Sequence, residues 1–241
     1  MTSGPPVRTS EGPVRAVLLD LDDTLYPQAA WLAGALDRVA AEASRRGLDG
    51  AALRRALDDA VAAGSDRGDT IDRALAAAGI ATDPAPLVAA FRSHLPSSLP
   101  TYPGTAAALE RLAASVPLGL VTDGDVPGQR GKLAATGLDR WFRVVVYSDE
   151  LGRRWRKPDP RPMREALEQL GVAPAEAVVI GDRPDKDVAA AHALGSRAVR
   201  VRTGEYRDRP DLEGTWRSVA SLAEAVREIE PYLATAVGEP R

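Results

Sequence analysis

Apolar and polar positions recur along this chain in two rhythms, and the switch between them divides it. Ala16, Val17, Leu18 and Leu19 form a short continuous apolar run closed by Asp20, Leu21, Asp22, Asp23 and Thr24. A run of that length, bounded by turn-forming residues, predicts a strand buried on both faces of a parallel sheet. Beyond Thr24 the spacing becomes helical: Trp31, Leu32, Leu36 and Val39, then Leu53, Leu57 and Val61, then Ile71, Leu75 and Ala78, then Leu87, Val88 and Phe91. These sets predict four helices within 27–98, with breaks at Gly47 to Gly50, Gly64 to Gly68 and Gly79 to Pro86. The Pro- and Ser-rich stretch 94–104 predicts a connector into a different architecture.

From Thr105 onward the two rhythms alternate. Helices are expected over 105–114, 128–136, 160–170 and 186–194, and strands over 116–121, 143–147, 177–181 and 197–201, with 216–233 as a last amphipathic helix. Such alternation specifies an α/β fold, a doubly wound parallel sheet of five strands covered by helices on both faces. The expected organisation is a Rossmann-like core over 14–26 and 100–233, a helical insertion over 27–99, and flexible tails at 1–13 and 234–241, the first rich in Pro, Gly, Ser and Thr.

Composition narrows the function classes. With 241 residues and 44% hydrophobic content the chain can bury a sizeable core. A formal net charge of −3 gives no global pull toward nucleic acid or an anionic membrane. The absence of cysteine excludes disulfides and thiolate metal sites and fits a cytoplasmic protein. The N-terminus lacks the apolar core of a signal peptide, and no stretch approaches the ~18 apolar residues of a membrane span.

Polar residues gather where the strands end. The first strand runs into Asp20 and Asp22, the second into Thr122, Asp123, Gly124 and Asp125, the third into Ser148, Asp149 and Glu150, and the fourth into Gly181, Asp182, Arg183, Pro184, Asp185, Lys186 and Asp187. Asp, Ser and Thr are favoured helix caps, which accounts for one or two such clusters. Capping does not account for Asp20 and Asp22 together with Thr122, with Lys157 before Pro158, and with Asp182 and Asp187. This set resembles the haloacid dehalogenase superfamily, whose four motifs match DLDDT (20–24), VTDG (121–124), Lys157 in KPDP (157–160) and GDRPDKD (181–187). The likeness spans residues 14 to 204, with the motifs in order and a helical cap after the first.

The resemblance implies strand order 5-4-1-2-3, which sets Asp20 beside Asp182 at a topological switch point. It implies Asp20 as a nucleophile toward phosphorus and Asp22 as general acid and base, a task that calls for a carboxyl with a raised pKa. Mg²⁺ would be held by Asp20, Asp182 and the Asp22 carbonyl, with Asp187 supporting them. Thr122, the Asp123 amide and Lys157 would grip the phosphoryl oxygens. Two positions depart from the family pattern: Asp123 stands where relatives often have Asn, and Lys186 where many have Asn or Asp.

The activity so implied is Mg²⁺-dependent hydrolysis of a small phosphorylated metabolite by a monomer or homodimer, with neither nucleic acid nor membrane as partner. Alternatives are a phosphomutase of the β-phosphoglucomutase type, a hydrolytic dehalogenase, which has no use for Asp22 or Asp182, and a catalytically silent binding module. The LVTDGD stretch followed by Gln129 and Arg130 is weakly similar to acylneuraminate-9-phosphatase relatives. His94 and His192 are isolated and read as structural. Trp31, Trp141 and Trp216 read as packing residues, with Trp31 alone a candidate to face substrate. Arg54 and Asp58 read as a solvated helical pair. Arg153, Arg154 and Arg156 read either as a solvated loop or as partners for a second anionic group on the substrate.

Overall fold

The structure is a computed structural model that describes residues 12–65 and 68–234. The tails expected at 1–13 and 234–241 lie outside the described residues, apart from 12, 13 and 234. Its chain contacts separate two compact units, one of 1–28 with 98–241 and one of 29–97.

The first unit is built on strand β1 (Ala16–Leu19), whose four residues are all buried. It pairs in parallel with β2 (Leu118–Thr122) on one side and β4 (Ala177–Gly181) on the other. β3 (Val144–Tyr147) extends the sheet beyond β2, and β5 (Arg197–Val201) beyond β4. Branched residues fill these strands because both sheet faces are covered and each side chain must pack. One face meets helix α8 (Arg161–Leu170) and α9 (Ala189–Leu194), with Leu18, Val121, Val146, Met163, Leu167, Val179 and Leu194 in a common core. The remaining helices of this unit are α5 (Thr105–Ala113), α6 (Val126–Thr136), the one-turn α7 (Ser148–Leu151) and α10 (Leu222–Ile229).

The observed order, β3-β2-β1-β4-β5-β6, contains the expected 5-4-1-2-3 arrangement and adds a sixth strand. β6 (Arg217–Val219) pairs in parallel with β5 inside the stretch read as helix from 216 onward. The correction has a local cause. Ser221 accepts a hydrogen bond from the Glu224 amide (3.2 Å) while Glu224 accepts from the Ala220 amide (2.9 Å). This reciprocal cap fixes the start of α10 at Leu222 and leaves 217–219 free to extend along β5.

The second unit packs α1 (Gln28–Arg45), α2 (Gly50–Ala62), α3 (Thr70–Ala77) and α4 (Ala85–Arg92). Leu36, Val39, Leu53, Leu57, Ile71, Leu75 and Leu87 form its interior, the residues that carried the helical spacing. Trp31 is buried edge-to-face against Phe91 (5.2 Å) and lies near His94 (5.6 Å), so it packs within this unit. No helix among the described residues is long and apolar enough to cross a membrane.

Candidate active site

The carboxyl ends of β1, β2 and β4 meet where the strand order reverses, because β1 has β2 on one side and β4 on the other. Asp20 leaves β1 with its amide bonded to the Ile180 carbonyl (3.0 Å), which fixes it beside the end of β4. Lys157 is buried with its ammonium bonded to Asp20, to Asp187 (2.8 Å) and to the Val121 carbonyl (3.1 Å). A buried ammonium persists only when paired. Burial lowers its affinity for a proton, but the Asp187, Asp20 and Asp123 charges hold its pKa well above the ordinary lysine value.

Asp187 reaches this group through a π-helical turn over Pro184–Val188, in place of the regular helix expected from 186. Its Oδ2 accepts from the Arg183 amide (3.0 Å). The carboxylate lies so close to Gly181 that a Cβ there would stand 2.3 Å from Asp187 Cγ. Any larger residue at 181 would push Asp187 out of the cluster.

Asp20, Asp182 and Asp187 each offer a carboxylate oxygen within 4.8 Å of the others, and all three are buried. Burial pushes the Asp20 carboxyl up to about 7, opposed by Lys157 and assisted by Asp187 and Asp22. Burial and the Asp187, Asp20 and Asp23 charges push Asp182 well above the carboxylate range. A buried, all-oxygen set of mutually repelling carboxylates fits a hard divalent cation.

Asp22 sits in a different environment. Its Oδ1 accepts from Tyr26 Oη and Lys132 Nζ (2.9 Å), and its Oδ2 from Gln129 Nε2 (2.9 Å) and again from Lys132 (3.0 Å). Burial works against the charged form, but the Lys132 ammonium and the bonds from Tyr26, Gln129 and Lys132 hold its pKa below the ordinary value. The raised pKa expected for Asp22 is therefore corrected: four donor contacts on two oxygens stabilise the carboxylate.

The other expected residues lie at the same edge. Thr122 ends β2, buried, with its hydroxyl accepting from Gln129 Nε2. Asp123 turns its carboxylate away from solvent, Oδ1 accepting from Ser148 Oγ (2.6 Å) and the Lys157 amide (3.2 Å). Asp23 is a local tie: at φ 55° its carboxylate accepts from the Gln28 amide (2.8 Å), Tyr102 Oη (3.3 Å) and the Glu205 amide (3.2 Å). A Cβ at Gly204 would stand 2.0 Å from Asp23 Cγ, so that approach also requires glycine.

Sequence reasoning missed Tyr26, Lys132, Asp23 and the contact role of Gln129. A signal existed for two of them. Gln129 and Lys132 are three residues apart on α6, hence on one helical face, and α6 starts just past Thr122. In the arginine loop, Arg156 forms a two-pronged bond to Asp149 (2.6 and 2.7 Å), while Arg154 (4.6 Å) and Arg161 (3.2 Å) stack on Trp155. Two of its three arginines are thus engaged within the loop's surroundings, and Arg153 is exposed. His192 Nε2 stands 3.0 Å from the Gly214 carbonyl, a structural contact.

A family model described as haloacid dehalogenase-like hydrolase matches residues 14–195. The chain is 35% identical over 204 residues to a glyceraldehyde 3-phosphate phosphatase of Methanopyrus kandleri, covering 81% of this chain and 87% of that protein. It is 36% identical over 206 residues to a phosphoglycolate phosphatase of Rhodospirillum rubrum, covering 80% and 82%. Among solved structures, a HAD phosphatase from Thermococcus onnurineus aligns with a TM-score of 0.66 at 28% identity, over 91% of this chain and 99% of that one.

Proposed function

Because this chain belongs to the haloacid dehalogenase-like hydrolases and is a phosphoric monoester hydrolase, we propose that it hydrolyses a short phosphorylated metabolite through an aspartyl-phosphate, with 27–99 as its cap. One observation carries the reading: the buried carboxylates of Asp20, Asp182 and Asp187 converge at the switch point, where the Lys157 ammonium pairs with Asp20 and Asp187. A nucleophile, a cation and an anion-stabilising lysine are what transfer of a phosphoryl group requires.

In this mechanism the phosphoryl oxygens rest on the Thr122 hydroxyl, the Asp123 amide and Lys157. An Asp20 oxygen bonds to phosphorus as the ester P–O bond breaks; the leaving oxygen keeps the electron pair of that bond and takes a proton from Asp22. Water then attacks phosphorus, gives its proton to Asp22, and the Asp20–phosphorus bond breaks to release phosphate. The donors around Asp22 keep it in the ionised form that can take a proton from water, and they weaken its hold on that proton, which is then readily given to a leaving oxygen. Asp20, Asp182 and the Asp22 carbonyl would hold Mg²⁺, supported by Asp187, and the ion supplies the positive charge that lets a carboxylate approach an anionic phosphate.

The relatives named above are phosphatases of two- and three-carbon esters, which favours a short substrate and hydrolysis over transfer within a sugar. Phosphate release from a panel of esters, including phosphoglycolate and glyceraldehyde 3-phosphate, with Mg²⁺ and with chelator, tests the reading. Turnover confined to Mg²⁺-containing samples is expected. Full activity in chelator would sink the metal assignment, and no phosphate release from any ester would sink the reading as a whole.

A further inference from the structure

Asp123 directly follows Thr122, so its carboxylate stands next to the hydroxyl and amide assigned above to the phosphoryl group. Its Oδ1 is oriented by Ser148 Oγ and the Lys157 amide, both neutral donors that fix the carboxylate without cancelling its charge. Its Oδ2 is buried and has no hydrogen-bond partner. The Asp123 charge is felt across the site, since it helps to keep Lys157 protonated. Left uncompensated, an anion in this position would oppose an arriving phosphate, and so dry an edge screens it poorly.

The Lys157 and Arg156 charges interact with Asp123, and the charge that faces its unbonded Oδ2 comes from the turn after β4. Lys186 Nζ lies 3.9 Å from Asp123 Oδ2, with its side chain 30% exposed. That gap is too wide for a hydrogen bond, so the pairing is one of charge. The two departures from the family pattern, an acid after Thr122 and a base before Asp187, therefore face each other across a single gap.

We infer that Lys186 is a charge-compensating residue of the phosphate site: it neutralises Asp123 so that the 122–123 segment can receive an anion, and it sets phosphate affinity without touching the reacting atoms. Lys186 acts through Asp123 and is in that sense a positioning residue. This inference rests on the phosphatase reading.

The test uses the full chain in Mg²⁺ buffer, with inorganic phosphate as competitive inhibitor and phosphoglycolate as substrate. Lys186→Met should raise the inhibition constant of phosphate and the KM together by about tenfold, while kcat moves by less than about threefold. Lys186→Arg, which keeps the charge, should stay within about twofold of the parent on both. Asp123→Asn combined with Lys186→Met should recover most of the loss, because removing both charges restores neutrality. A merely structural lysine would not show that recovery. Unchanged phosphate affinity in Lys186→Met overturns the inference. So does a double variant no better than Lys186→Met alone, since Lys186 would then bind the phosphate itself. Unfolding of Lys186→Met is checked by its melting temperature, and the arginine variant together with the double variant still decides the matter. Failure of the underlying reading is a separate result, seen as absence of phosphate release by the parent protein.

Discussion

The two units of this molecule bury different things. Every buried charged side chain among the described residues, from Asp20 and Lys157 to Arg200, lies in the sheet unit. The interior of 29–97 is built from apolar side chains and the indole of Trp31, and none of its described charged side chains is buried. Burying a charge costs free energy unless a partner compensates it, so a fold retains such groups only where something other than stability selects them. The sheet unit concentrates that cost at one edge. The helical unit is held mainly by the hydrophobic effect, with its ion pairs near the surface.

If this division is real, substitutions in the two units should fail in different ways, and the largest effect should fall on the nucleophile. Asp20→Asn keeps the shape and the bond to Lys157 but is a poor nucleophile, so turnover should drop by at least about a thousandfold. Its melting temperature should not fall, because the change removes one of three mutually repelling buried carboxylates. Assay of phosphate release beside a thermal melt checks both halves. Loss of the fold together with activity would break the comparison.

The helical unit should show the opposite pattern. Leu57 is fully buried among Leu53, Leu75 and Leu87, and Leu57→Ala should cost about 2 to 5 kcal/mol of stability through lost burial and a residual cavity. Denaturant unfolding measures it; a loss below about 1 kcal/mol would show that this core is loosely packed.

A third substitution separates the two carboxylates of the first motif. Asp22→Asn should slow hydrolysis of an alkyl phosphate by about a hundredfold or more, and that of p-nitrophenyl phosphate by less, since nitrophenolate leaves without a proton. Equal losses on both esters would remove Asp22 from the proton-transfer role and leave it a structural partner of Lys132.

The same division explains what could be read from sequence. Continuous apolar runs announce strands with both faces covered, so β1 to β5 and their parallel pairing were legible from Ala16–Leu19, Ala177–Gly181 and their counterparts. The helical unit was legible because its interior obeys one period. β6 was not: three partly exposed residues at a sheet edge carry no periodic signal, and a reciprocal cap decided where the helix began. At the candidate site, acids just past strand ends stood out by position. Lys132, Tyr26 and Asp23 stood out less: Tyr26 and Asp23 make local bonds to Asp22 and Gln28 that the spacing does not reveal, and Lys132 meets its partner only through folding. Lys132 and Asp22 are separated by 110 positions. Asp20 and Asp22, two residues apart, shift in opposite directions, the first raised by burial and the second lowered against burial by Lys132, Tyr26 and Gln129, a difference with no signature in their shared motif.

The smallest effect tests the surface of the helical unit. Arg54 bonds Asp37 (2.8 Å) through Nε and pairs with Asp58 one turn along α2. Both acids are largely exposed, at 70% and 57%, so water competes for each charge and the long arginine side chain loses entropy on being held. Exposed pairs of this kind contribute about 0.2 to 1 kcal/mol, and the two share one guanidinium. Arg54→Ala should therefore lower stability by less than about 1 kcal/mol, with alanine's better helix propensity offsetting part of the loss. High salt should shrink the difference between parent and variant further, because these charges are screened where Lys157 and Asp20 are not. A loss of about 3 kcal/mol in urea unfolding, insensitive to salt, would mean that the helical unit depends on a charge network after all, and the contrast with the sheet unit would fail at its weakest point.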